Sequence, residues 1–124
     1  MSILGVDHVQ IAIPAGGDAE REARSFFIGL LGFREVPKPP ELAQRGGLWL
    51  EAGSVKLHLG VESDFRPARK AHPAFIVRGL DELLAKIQRA KFETDTTQPP
   101  LEGYQRAHVF DPFGNRIELM EKTG

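Results

Sequence analysis

Three of the chain's four histidines, His8, His58 and His72, and one carboxylate, Glu118, are the residues whose types could do chemistry together. Glu118 stands between Ile117 and Leu119, and His58 between Leu57 and Leu59. In an alternating strand such neighbours turn to one face and the polar residue turns to the other. A carboxylate drawn out of water needs a partner. Imidazole and carboxylate are the ligand types that suit zinc, nickel, cobalt, manganese or ferrous iron, so a divalent cation is one such partner. Arg106 or Arg116 is another, and no short signature such as HExxH decides between them.

The elements that must position these residues repeat along the chain. Val6 to Ile13 alternates as a strand. Asp18 then caps an expected helix running to about Leu31, with Ala19, Ala23, Phe26, Phe27, Leu30 and Leu31 on one stripe and Gly32 as its stop. Phe33 to Val36 reads as a short strand, and the loop PKPPELAQRGG follows. Leu48 to Glu51 and Val55 to Val61 read as a hairpin closed at AGS. The second half repeats the order: strand His72 to Val77, a helical stripe of Leu80, Leu83, Leu84 and Ile87, strand Phe92 to Thr94, then Tyr104 to Phe110 paired with Asn115 to Glu121 across DPFG. An offset of 60 lays LEAGSVKLHL on FDPFGNRIEL, so that His58 meets Glu118; an offset of 64 lays HVQIAIPAG on HPAFIVRGL, so that His8 meets His72. The reading is α+β, with a first module over 1–61, a connection over 62–71 and a second module over 72–124. A pseudo-twofold relation between such modules would bring all four polar residues to one cavity.

Composition narrows the function. A net charge of −1 provides no general field for nucleic acid or an anionic membrane, so neither is an expected partner. The absence of cysteine excludes disulfides, thiolate metal sites and a cysteine nucleophile, and the cytoplasm is the expected compartment. No signal peptide and no apolar run long enough to span a bilayer is visible. PAGGD lacks the spacing and the lysine of a phosphate-binding loop, and no serine sits in a nucleophile turn.

DHVQIAIP, FFIGLLGF, KAHPAFIV and DPFGNRIEL together resemble the successive signatures of the vicinal oxygen chelate superfamily, which includes glyoxalase I, bleomycin-resistance proteins, fosfomycin-resistance enzymes and extradiol dioxygenases. The resemblance implies paired βαβββ modules forming a U-shaped open barrel around a divalent metal, and a homodimer as the usual assembly. It implies His8, His72 and Glu118 as metal ligands, with His58 at the position where glyoxalase I has its other acidic ligand. A histidine there leaves only Glu118 as a metal-bound carboxylate base and argues against strict glyoxalase I activity. The implied function is a metal-dependent lyase, isomerase or dioxygenase acting on a small oxygenated substrate that chelates the ion. The alternative is a non-catalytic protein of the bleomycin-resistance type that sequesters a small molecule.

Around this set, Tyr104, Arg106 and His108 share one face of their strand. His108 is placed to act as acid, base or hydrogen-bond donor near the metal. Arg106 and Arg116 suit a carboxylate or phosphate on the substrate. Gln10 shares the face of His8 and could orient a metal-bound water, while Trp49 and Phe110 are candidates for the cavity lining. Ile3, Leu4 and Leu101 are expected to contribute to the dimer contact.

Overall fold

The computed structural model describes residues 2–124. The chain divides into two compact units, one running to Arg66 and the other spanning Pro67–Gly124. Each is built on a four-stranded open sheet, which makes the chain α+β.

In the first unit, β1 (Val9–Ile13) lies parallel to β4 (Val55–Val61), β3 (Leu48–Ala52) pairs with β4 antiparallel, and β2 (Arg34–Val36) closes the order β1-β4-β3-β2. The pairs Leu48–Leu59 and Leu50–Leu57 lie side by side and are almost wholly buried, so alternation sends Trp49 and His58 to the opposite face. Burial of such side chains stabilises the unit by roughly 1.5–3 kcal/mol each. Helix α1 (Gly17–Ala23) continues as a π-helical stretch over Arg24–Leu30, where the Leu31 amide reaches back to the Phe26 carbonyl. The wider turn leaves the consecutive Phe26 and Phe27 both fully buried, with rings edge-to-face at 5.0 Å, while Leu30 and Leu31 remain half-buried. Gly32, at a φ of 82°, stops the helix as expected.

Two expectations for this unit are corrected. Asp18 is not the helix cap: Gly16 holds that position, and Asp18 pairs with Arg21 inside the helix. The segment read as a plain loop contains a short helix, α2 (Pro40–Ala43), because Pro40 at the first turn has the fixed φ a helix start requires. Gly47 closes this segment at a φ of 84°, where a side chain would collide with the Leu59 carbonyl.

The second unit repeats the plan with β5 (Ala74–Ile76), α3 (Leu80–Arg89), β6 (Thr94–Asp95), β7 (Tyr104–Phe110) and β8 (Arg116–Lys122), in the order β5-β8-β7-β6. Leu80, Leu84 and Ile87 of α3 are buried, as are Ala107, Val109, Ile117 and Leu119 of the sheet. The N-terminal turn of α3 has no cap from its own segment. The Glu121 carboxylate of β8 instead accepts from the Gly79 and Leu80 amides at 2.7 and 3.0 Å. The registers carry the duplication: Gln10 opposes His58 where Ala74 opposes Glu118, and Trp49 opposes His58 where His108 opposes Glu118. Among the described residues, no helix is long and apolar enough to cross a membrane.

Candidate metal centre

Each unit places its polar residues on the sheet face opposite its apolar core. In the first unit they are His8, His58, Trp49 and Gln10, which border one cavity. His8 lies one residue before β1 rather than within it, and His72 two residues before β5; the strands begin later than the alternation suggested. Both histidines are therefore held at the mouth of a strand.

His58 lies between two rings, with its centroid 4.1 Å from that of His8 and 4.1 Å from that of Trp49 at interplanar angles of 17° and 6°. It is 9% exposed, and burial, with the neighbouring His8, holds its imidazole below its ordinary pKa. The His8 Nδ1 donates to the Asp7 carboxylate at 2.8 Å, which leaves Nε2 as the nitrogen free to act as a ligand.

The second unit assembles a charged cluster. Glu118 is 8% exposed, and its Oε1 lies 3.1 Å from His72 Nε2 and 3.7 Å from His108 Nε2. Its Oε2 accepts from Arg106 Nη1 at 3.1 Å, and Arg106 Nη2 donates to the Pro99 carbonyl at 2.7 Å. Burial works to raise the Glu118 pKa, but the hydrogen bonds from His72 and Arg106 outweigh it and hold the carboxyl below its usual value. Of the two partners expected for Glu118, an arginine is thus present on one oxygen, and the other oxygen faces histidines. His108 is 1% exposed, and burial, joined by the positive charge of Arg116, keeps its pKa low. Its Nε2 is buried without a hydrogen-bond partner among the described residues. Tyr104 lies further along the same strand, opposite Lys122.

The donor set fits a divalent cation. His72 Nδ1 lies 2.8 Å from the Lys70 carbonyl, which only accepts, so Nδ1 carries the hydrogen. With Nδ1 carrying a hydrogen, the 3.1 Å contact between His72 Nε2 and Glu118 Oε1 is bridged either by a proton, as the hydrogen bond that lowers the Glu118 pKa, or by a cation in the proton's place. A ligating histidine commonly donates its other ring nitrogen to a carbonyl or carboxylate, and both His72 and His8 are wired in that way. The donor atoms of His72, His108 and Glu118 all lie within 4.8 Å of one another. Sequence alone suggests proton transfer for His108 and does not bring it among the ligand atoms. The signal was its position directly opposite Glu118, which only the strand register exposes.

A family profile described as the Glyoxalase/Bleomycin resistance protein/Dioxygenase superfamily matches residues 5–119. The crystal structure of a glyoxalase-family protein from Bacillus anthracis is 45% identical at a TM-score of 0.86, covering 99% of this chain and 98% of that one. A glyoxalase family protein from Enterococcus faecalis is 27% identical at a TM-score of 0.66, with 94% and 97% covered. The genomically encoded fosfomycin resistance protein FosX from Listeria monocytogenes, in complex with Mn(II) and a sulfate ion, shares the fold at 14% identity and a TM-score of 0.78, with 98% and 93% covered. Comparison with curated proteins gives no match. The family profile and the 45% identical relative agree over almost the whole chain, which therefore belongs to the Glyoxalase/Bleomycin resistance protein/Dioxygenase superfamily.

Proposed function

We propose that the chain is a divalent-metal-dependent enzyme of the glyoxalase and dioxygenase type, acting on a small substrate with two adjacent oxygens. The reading rests on one observation above the others: with His72 Nδ1 held by the Lys70 carbonyl, His72 Nε2 faces the Glu118 carboxylate at 3.1 Å, and the ligand atoms of His72, His108 and Glu118 lie within 4.8 Å of one another. His72 and Glu118 are the proposed ligands in the second unit. His8 is a third on the strength of the sequence register, and His58 is a fourth at the position that varies across the superfamily. FosX holds Mn(II) on the same fold, and zinc, nickel, cobalt and ferrous iron suit these donors as well.

The bound ion would polarise the substrate's two oxygens and offset the charge that develops on them. Arg106 keeps Glu118 oriented through Oε2, leaving Oε1 for the site. His108, held neutral by burial and by Arg116, presents Nε2 towards the same space as a hydrogen-bond donor or proton carrier. Gln10, Trp49 and Tyr104 are proposed pocket residues.

Elemental analysis tests this directly. Protein purified without chelator, or dialysed against Mn(II) or Zn(II), should retain about one ion per chain. Protein that holds none and gains none overturns the reading. It would leave the second one, a binding protein for an aromatic or cationic small molecule, whose face would be the His8–His58–Trp49 stack.

The proposed assembly is a homodimer near twice 13.7 kDa. Ile3 and Leu4 are 95% and 97% exposed and Leu101 is 44% exposed, apolar surface that a second copy would cover. Light scattering at micromolar concentration that finds only monomer would remove this claim.

A further inference from the structure

We propose that the cavity next to His108 in the second unit is an oxyanion subsite, and that the substrate carries a carboxylate or phosphoryl group beside its chelating oxygens. The subsite stands on its own geometry; its link to the chelating oxygens rests on the metal-centre reading.

The cavity encloses about 470 Å³ and is lined by Arg69, Thr94, Asp95, Gln98, Phe110 and Arg116, among others. Arg116 is the residue that needs a ligand. Arg24, Arg34 and Arg106 reach carboxylates at 2.9, 3.0 and 3.1 Å. Among the described residues Arg116 pairs with no carboxylate, although it is half-buried. Its contacts are two long ones, 3.4 Å from Nη1 to the Arg69 carbonyl and 3.5 Å from Nη2 to His108 Nδ1. A guanidinium has five donors in a fork that matches an oxyanion, and leaving them unmet where water is partly excluded is costly.

The neighbouring charges do not fill that role. Asp95 accepts from the Thr97 amide, the Thr97 hydroxyl and the Gln98 side chain at 2.8, 2.6 and 2.9 Å. The Glu93 side chain is 62% exposed and lies 3.8 Å from Arg69. The Arg69 guanidinium stacks over the Phe110 ring at 4.7 Å, which sets a second cation over an apolar floor.

His108 joins the subsite to the metal centre. Its Nδ1 meets Arg116, and its Nε2 lies 3.7 Å from Glu118 Oε1. An anionic group on Arg116 therefore sits about one imidazole width from the oxygens that would reach His72 and Glu118. That separation selects compact molecules whose anionic group lies a carbon or two beyond the chelating oxygens, such as dihydroxy acids or small phosphorylated hydroxyketones, over neutral diols.

Calorimetric titration tests the proposal with three probes: 3,4-dihydroxybutanoate and butane-1,2-diol on Mn(II)-loaded protein, and inorganic phosphate on metal-free protein. The dihydroxy acid should bind at least tenfold more tightly than the diol. Arg116→Gln should weaken the dihydroxy acid and phosphate at least tenfold and leave Mn(II) affinity unchanged. Arg116→Lys, which keeps the charge, should retain part of the phosphate affinity, and Arg66→Gln, outside the lining, should change neither. A stronger effect on the dihydroxy acid identifies the carboxylate as the natural group, and a stronger effect on phosphate the phosphoryl group. Equal binding of the dihydroxy acid and the diol, or an Arg116→Gln protein with undiminished affinities, overturns the subsite. Equal losses in the Lys and Gln variants do so too, by showing a merely structural role. If Mn(II) fails to bind while Arg116→Gln still weakens phosphate, the metal reading falls and the subsite stands.

Discussion

The two sheets place different chemistry on the same scaffold. At the centre of the first lies His58, opposed by Gln10 and Trp49; at the centre of the second lies Glu118, opposed by Ala74 and His108. Both are flanked along the strand by buried leucine or isoleucine, so the backbone aims each of them away from its own core. His58 is held by ring stacking on both sides and kept neutral by burial. Glu118 is held by an arginine on one oxygen and faces two imidazoles with the other. Duplication thus preserves where a side chain points, while its neighbours determine what it can do. An aromatic surface accommodates flat or cationic groups. A carboxylate with inward-facing imidazoles is a place for a cation.

That contrast is most exposed to attack through metal affinity. Glu118→Ala and His72→Ala should each lower Mn(II) or Zn(II) affinity at least tenfold in a chelator-competition titration, since each removes a donor. His58→Ala should cost less, because stacking rather than hydrogen bonding holds that ring. Equal losses in all three would make His58 as strong a ligand as Glu118 and erase the distinction. Wild-type affinity in Glu118→Ala would instead remove the second site.

A smaller effect separates the two hairpin turns. Asp111, 4% exposed, opens the second turn and accepts from the Phe113 amide and from the Asn115 amide and side chain at 2.9, 2.8 and 2.9 Å. Burial pushes its pKa up even against those bonds. Asp111→Ala should therefore destabilise the protein by about 2–3 kcal/mol in denaturant unfolding, the cost of removing a buried acceptor. Ser54, exposed in the turn of the first hairpin, should tolerate alanine within about 0.5 kcal/mol. A Ser54→Ala loss as large as that of Asp111→Ala would show that the turns are held alike.

The smallest expected effect concerns the helices. The Gly79 and Leu80 amides hold the Glu121 carboxyl below its usual value, whereas α1 starts at Gly16 with no side-chain cap. A depressed carboxylate pKa contributes stability that is present above about pH 4.5, its ordinary value, and lost as pH falls through the folded one. Glu121→Gln should lower the melting temperature slightly at neutral pH, and the difference from wild type should shrink as pH drops below that value. A difference that persists undiminished at pH 3 would mean the carboxylate's charge is not what caps α3.

Most of the fold was legible in the sequence because alternation and the offsets of 60 and 64 are one-dimensional signals. The parallel pairs reproduce those offsets, with Gln10 opposite His58 and Ala74 opposite Glu118, whereas the second hairpin is shifted by one residue, so that His108 rather than Val109 opposes Glu118 where Trp49 opposes His58. The π-helical stretch and α2 were not legible, because their signals lie in local backbone winding rather than in apolar spacing. For the site, the sequence by itself determined which residues turn away from the core, since that follows from alternation alone. Only the tertiary structure decided that Arg106 takes one oxygen of Glu118, that His108 faces the other, and that Arg116 pairs with no carboxylate among the described residues. Those contacts join strands, and the identity of a cross-strand neighbour depends on register, which no single strand carries.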